Sequence, residues 1–266
     1  MAQSLPQSDA PYVLSHREEG VITLTLNRGD KFNPLSEEML AALQAEIDAI
    51  ARDPTARVVI LAATGKAFCA GHDLKQMRAS PSATYYKTLF NQCSKLMLSI
   101  QHMPQPVIAR VQGIATAAGC QLVAMCDLAV ASSDAKFAVS GVNYGLFCST
   151  PSVGLSRNIA RKQAMEMLLT GEFIDASTAC ERGLVNRVAE PEALDQEIAA
   201  LTASILAKPA VAIAMGKQLF YRQLEMGIGA AYQLAGETMA CNMMDEAALE
   251  GVQAFIEKRT PSWKKS

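Results

Sequence analysis

Residues 21–27 (VITLTLN) alternate apolar side chains with threonine, the period of a strand with one buried face. After a turn at Asn33-Pro34, Leu35, Met39, Leu40, Leu43, Ile47 and Ile50 recur at helical spacing. Ser36 is placed to cap that helix and Asp53-Pro54 to stop it. Residues 57–63 (RVVILAA) form an unbroken apolar run, as expected of a strand covered on both faces. A turn over 64–73 (TGKAFCAGHD) follows, then an amphipathic helix over 85–101 ended by Met103-Pro104. The pattern next predicts a strand over 106–112, a buried helix over 114–125 and short strands over 128–131 and 136–139. Beyond about residue 150 it is helical apart from a strand over 184–188, and the last helix, 247–258, carries Leu249, Val252, Phe255 and Ile256 on one stripe. Strands alternating with helices, then helices alone, predict an α/β core followed by a helical extension.

Half of the 266 residues are hydrophobic and 19% are charged, which supplies a packed core and argues against disorder. Lys+Arg 24 against Asp+Glu 26 leaves a net charge of -2, without the basic surplus of a nucleic-acid-binding protein. No apolar run reaches the roughly 18 residues needed to cross a bilayer. The first 20 residues have neither the apolar heart of a signal peptide nor the arginines of a transit peptide, so a cytoplasmic location is expected. The 7 cysteines are scattered and form no CxxC, which predicts reduced, mostly buried thiols and no disulfide framework. Residues 1–11 read as a polar tail.

Several chemistries find no support. There is no GxSxG, no HExxH among 3 histidines (His16, His72, His102), and neither Gly-rich stretch, 65–71 or 113–119, matches GxGxxG or ends in GK[ST]. No metal site is indicated. Both Gly-rich stretches do follow predicted strands. Small residues there let a ligand approach the backbone, where exposed N–H groups can hold an anion or a developing oxyanion.

Four blocks in order carry a resemblance: LNRGDKFNPLS (26–36), GKAFCAGHDLKQM (65–77), VQGIATAAGCQLVAMCDLAVAS (111–132) and AMEMLLTGEFIDASTACERGLVNRV (164–188). Together they resemble the crotonase superfamily, the enoyl-CoA hydratase/isomerase fold, from about residue 12 to the terminal AFIEKRTPSW (254–263). The resemblance implies an α/β spiral of ββα units over 12–200 and a C-terminal helical region over 201–266 that mediates assembly into trimers or hexamers. It implies no permanently bound cofactor and a coenzyme A thioester as substrate, whose carbonyl accepts two backbone N–H bonds. The motif matches put those donors at Ala70 and Ala118. Residues carried over as coenzyme A contacts are Lys31, Phe32, Phe68, His72, Asp73, Leu74 and Ile114, with Phe255 and Lys258 near the nucleotide end from a neighbouring subunit. Lys31 and Lys258 suit the polyanionic ligand as phosphate partners.

The chain departs from the family where its hydratases carry two catalytic glutamates. Those positions fall on Gln121 and Gly141. An amide does not titrate near neutral pH and glycine has no side chain, whereas general acid–base catalysis wants a pKa near the working pH. Between Gly113 and Met165 the only carboxylates are Asp127, at a structural family position, and Asp134, in an exposed-looking turn. The expected protein is therefore an acyl-CoA enzyme that stabilises a thioester enolate, with hydratase chemistry weakened or altered. The alternatives are a non-catalytic acyl-CoA-binding or partner-binding oligomer, and a decarboxylase or hydrolase variant.

Overall fold

A computed structural model describes residues 10–264, so the expected polar tail lies outside the described residues apart from Ala10 and Pro11. The strands are β1 (Val13–Glu18), β2 (Val21–Leu26), β3 (Val58–Ala63), β4 (Ala67–Cys69), β5 (Val107–Val111), β6 (Ile114–Thr116), β7 (Leu128–Ser132), β8 (Lys136–Ala138), β9 (Ile174–Asp175) and β10 (Arg187–Ala189). The helices are α1 (Glu37–Ile50), α2 (Leu74–Ala79), α3 (Ala83–His102), α4 (Ala118–Met125), α5 (Ser149–Asn158), α6 (Arg161–Thr170), α7 (Ala176–Glu181), α8 (Leu194–Leu206), α9 (Ala210–Leu224), α10 (Ile228–Met243) and α11 (Glu246–Ile256).

Two sheets share these strands. The larger runs β1-β2-β3-β5-β7-β10 and the smaller β4-β6-β8-β9. The pairs β3/β4, β5/β6 and β7/β8 each put their first strand in the larger sheet and their second in the smaller, and each is followed by helix. That is the expected spiral of ββα units. Apart from the antiparallel pairs β1/β2 and β8/β9, the strands run parallel.

The apolar run in β3 is buried on both faces. Val59 and Leu61 point into the main core with Leu24, Val107 and Phe137, whereas Val58 and Ile60 point the other way, onto Leu194 and Ile198 of α8. Helix α1 forms where its pattern predicts. Ser36 Oγ accepts the Met39 N–H at 3.2 Å, and Met39, Leu40, Leu43, Ile47 and Ile50 are its buried face. The division expected at residue 200 falls inside α8, which packs on the sheet as one element.

Other expectations are corrected. Residues 114–125 are not one helix: the chain continues as β6, reverses at Ala117 (φ 50°, ψ -121°) and only then enters α4. The turn over 64–73 contains β4, and α2 follows it unannounced. Strand β1 was unreadable because five of its six positions are exposed, so it has no apolar period. Leu184 and Val185 are buried in a turn, and the strand is β10, three residues later.

The helical extension is fastened to the core by a buried ion pair. Lys217 Nζ of α9, 6% exposed, donates to Asp127 Oδ2 (2.6 Å) and to the carbonyls of Ile100 and Gln105 (2.8 Å each). All three ammonium protons thus have acceptors. Asp127 also accepts the Val107 N–H and the Tyr221 hydroxyl, which bears out its structural reading. Among the described residues no single helix is long and apolar enough to cross a membrane.

Candidate active site

Two bends, one after β4 and one after β6, meet at a glycine. Gly71 has φ 89°, and a Cβ there would lie 2.9 Å from Ala117 Cβ and 3.2 Å from Ala118 N. Only glycine tolerates both that backbone and that approach. One residue after Ala118, a Cβ on Gly119 would lie 2.1 Å from the Cys69 carbonyl oxygen, so the start of α4 rests directly on β4. Ala117 holds a positive φ without being glycine, a conformation that costs about 1–3 kcal/mol and clusters at functional sites. Its own N–H is taken by Ala138 O at 3.0 Å.

The donor assignment divides. The Ala70 N–H donates to Phe32 O at 3.0 Å, so Ala70 is not available to a ligand, and that expectation is corrected. Two residues on, the chain has turned: Leu35 N bonds Gly71 O at 2.8 Å, and the His72 N–H has no acceptor among the described residues. The Ala118 N–H, in the first turn of α4, has none either. The first amides of a helix have no intrahelical partner, and the touching bends bring this one beside the other free amide.

These bends form one wall of a cavity of about 160 Å³. Ala70, His72, Ala117 and Ala118 line it with Leu74 and Met77 of α2 and Phe90 of α3. The opposite wall is the segment from Ser140 through Pro151. A roomier groove of about 820 Å³ lies between α3, α5 and α9, but the free amides are at the smaller cavity. Among the described residues no Asp, Glu, Lys or Arg lines the latter.

The two family glutamate positions stand apart. Gln121 is 4% exposed, its Oε1 is buried without a partner, and it is not among the residues lining the cavity. Gly141 does line it, but its N–H donates to Cys148 Sγ (3.3 Å), and a Cβ there would lie 2.4 Å from Leu146 O and 2.8 Å from that sulfur. The space a glutamate stem would need is occupied by the chain itself. Burial pushes the Cys148 thiol above its ordinary pKa. Ser140 Oγ and Thr116 Oγ1 bond each other at 2.8 Å.

His72 stands out. Its Nδ1 meets Leu35 O at 3.2 Å, its ring packs against Phe90 with centroids 5.5 Å apart, and its Nε2 is buried without a partner. Burial holds the imidazole pKa below its ordinary value, against the opposing effect of the Leu35 carbonyl.

Of the other expected contacts, Leu74 (57% exposed) lines the cavity, and exposed Phe32 supplies the carbonyl that fixes Ala70. Lys31 is exposed in the turn before it. Asp73 is a helix cap, its Oδ1 accepting the Lys75 and Gln76 N–H groups. Phe68, expected as a coenzyme A contact, is fully buried in the core and does not line the cavity. Ile114, at the start of β6, and Phe255 and Lys258, exposed at the end of α11, do not line the cavity within this chain. Phe90 and Met77 were missed because the sequence gives no sign of which helix faces roof a pocket.

The enoyl-CoA hydratase/isomerase family model matches residues 16–266. A crystal structure of an enoyl-CoA hydratase from Mycobacterium smegmatis superposes with a TM-score of 0.95 at 64% identity, covering 96% of this chain and 100% of that one. The human enoyl-CoA hydratase domain-containing protein 3 superposes with a TM-score of 0.92 at 42% identity over 95% of this chain and 100% of that one. Its mitochondrial counterpart from Xenopus laevis is 45% identical over 95% of this chain and 86% of its own length.

Proposed function

Because the chain belongs to the enoyl-CoA hydratase/isomerase family, we propose that it is an acyl-CoA enzyme whose thioester carbonyl oxygen is held by the backbone N–H groups of His72 and Ala118. The observation that carries this reading is the pair of unpaired amides at two touching bends beside a cavity otherwise free of charged side chains. Forming an enolate moves negative charge onto the carbonyl oxygen. Donors fixed by the backbone need no reorganisation to meet it, and losing one costs about 3–4 kcal/mol in comparable sites. Lys31, exposed beside Phe32, whose carbonyl accepts the Ala70 N–H, is the phosphate partner this reading assigns in the same chain.

Hydration is not the reaction the pocket favours. The amide of Gln121 does not titrate, and Gly141 has no room for a carboxylate. A second reading, a binder without turnover, draws on the same absence of carboxylates among the lining residues. A panel of short acyl-CoA thioesters, assayed for hydration, double-bond migration, decarboxylation and thioester loss with binding followed by calorimetry, separates the two. Turnover of any one supports the enzyme, tight binding with none supports the binder, and no binding refutes both.

Assembly belongs to the same reading. Phe220, Ile228, Tyr232, Met239, Met244 and Phe255 of the C-terminal helices are each more than half exposed in the single chain. Such an apolar face calls for a partner, and a trimer or hexamer of this chain would cover it and bring Phe255 and Lys258 to a neighbour's nucleotide end. Sedimentation equilibrium showing a monomer at micromolar concentration would refute the assembly.

A further inference from the structure

We propose that His72 is the proton-transferring side chain of this pocket, its Nε2 taking the proton released from the α-carbon of a bound acyl thioester. The inference rests on the thioester reading above and adds to it the group that moves the proton.

The tautomer follows from geometry. A backbone carbonyl only accepts, so the nitrogen 3.2 Å from Leu35 O carries the hydrogen, and Nε2 is left as a bare lone pair. That lone pair is buried and unsatisfied, in a residue lining the cavity. The other lining side chains that titrate do not compete. The Cys148 thiol is raised by burial and its sulfur already accepts the Gly141 N–H, and Tyr144, 77% exposed, points its bulk to solvent. Around the ring, Asp73 caps α2, Glu38 at the start of α1 is bonded by Gln76, and the Tyr86 hydroxyl of α3 donates to Met77 O. Glu37 and Tyr85 on those helices also make no bond to the imidazole. The ring is thus a neutral base with no fixed counter-ion, and burial favours that neutral form.

The counter-ion comes with the reaction. The Cα–H bond breaks and its proton goes to Nε2. Its electron pair forms the Cα=C bond, and the carbonyl π pair moves to the oxygen. That oxygen lies on the backbone N–H of His72 itself, so the imidazolium and the enolate arise side by side, with no Asp, Glu, Lys or Arg among the described lining residues to compete, and stabilise each other. Return of the proton, or of a deuteron from solvent, to Cα closes the cycle without any other reactant.

The test is exchange of the α-hydrogens of butyryl-CoA in deuterium oxide, read by mass spectrometry, with affinity from calorimetry and folding from circular dichroism. Wild type should exchange, with a rate that climbs with pH and levels off through an inflection below the ordinary histidine value of 6.5. His72→Phe and His72→Gln keep the backbone amide. They should bind within about threefold of wild type and lose exchange by about 10²-fold or more. Added imidazole should restore part of the exchange in His72→Ala, which a merely structural role would not allow. Folded variants that bind and exchange like wild type would overturn the proposal, as would a wild type that binds butyryl-CoA without exchanging it. Absence of binding would instead refute the thioester reading beneath it.

Discussion

Gly119→Ala sets two effects of opposite sign against each other. Gly119 lies inside α4, where alanine is worth about 1 kcal/mol more than glycine by helix propensity. The new Cβ, however, would lie 2.1 Å from Cys69 O, 2.7 Å from Cys69 C and 2.8 Å from Cys69 Cβ. Ordinary contact begins near 3.5 Å, so α4 and β4 would have to part by about 1 Å. Neither side yields cheaply, because Cys69 and Cys120 are both fully buried. Overpacking a buried contact costs about 1–3 kcal/mol, and three close contacts with backbone or Cβ put this site at the top of that range. The net expectation is a loss of about 2 kcal/mol, measured by urea unfolding. The amide of Ala118, next in the chain, would shift with the helix, and a displacement of about 1 Å in a positioned group costs about 10²-fold in rate. A Gly119→Ala protein as stable as wild type would show that the bends are not in the contact described, and the oxyanion reading would fall with it.

Other perturbations test other links. Lys217→Met strands the Asp127 carboxylate 13% exposed among its remaining donors and should cost about 3–5 kcal/mol. Adding Asp127→Asn should recover part of that loss in a double-mutant cycle, and strict additivity would contradict the pairing. Adding Gln121→Glu and Gly141→Glu should lower stability by more than about 2 kcal/mol, through overlap with Leu146 O and Cys148 Sγ. It should bring no gain in crotonyl-CoA hydration; a stable, active double variant would refute the account of Gly141. Arg259 and the Ser262 N–H hold the Glu250 carboxyl down at about 2, from 4.5. A depressed acid stabilises above its unfolded pKa and loses that contribution as pH falls through the folded one. The C-terminal segment should therefore loosen between pH 4.5 and about 2. Fluorescence of Trp263, which packs over Gly251, reports it, and Arg259→Gln should move the transition upward.

The main elements were legible where a periodic apolar pattern met a buried face, as in α1, β3 and the strand pair β5/β7. Legibility failed where burial came from elsewhere. An edge strand such as β1 needs no apolar period, and a two-residue strand such as β9 is defined by its partner alone. The run over 114–125 is mostly small and apolar through both β6 and α4, so composition could not show the reversal at Ala117. The motifs led to two bends that touch in the fold but named Ala70, whose N–H is taken by Phe32 O, since a bound and a free N–H look alike in sequence.

By itself the sequence determined the family, the α/β alternation and the lack of glutamates at 121 and 141, because each resides in residue identity and local spacing. Tertiary structure alone decided which amides are free, that the chain fills the space beyond Gly141, and that His72, a residue lining the cavity, keeps a buried, unpaired Nε2. Those properties depend on which groups from distant segments satisfy one another, and hydrogen-bond partners across a fold leave no periodic trace in the chain.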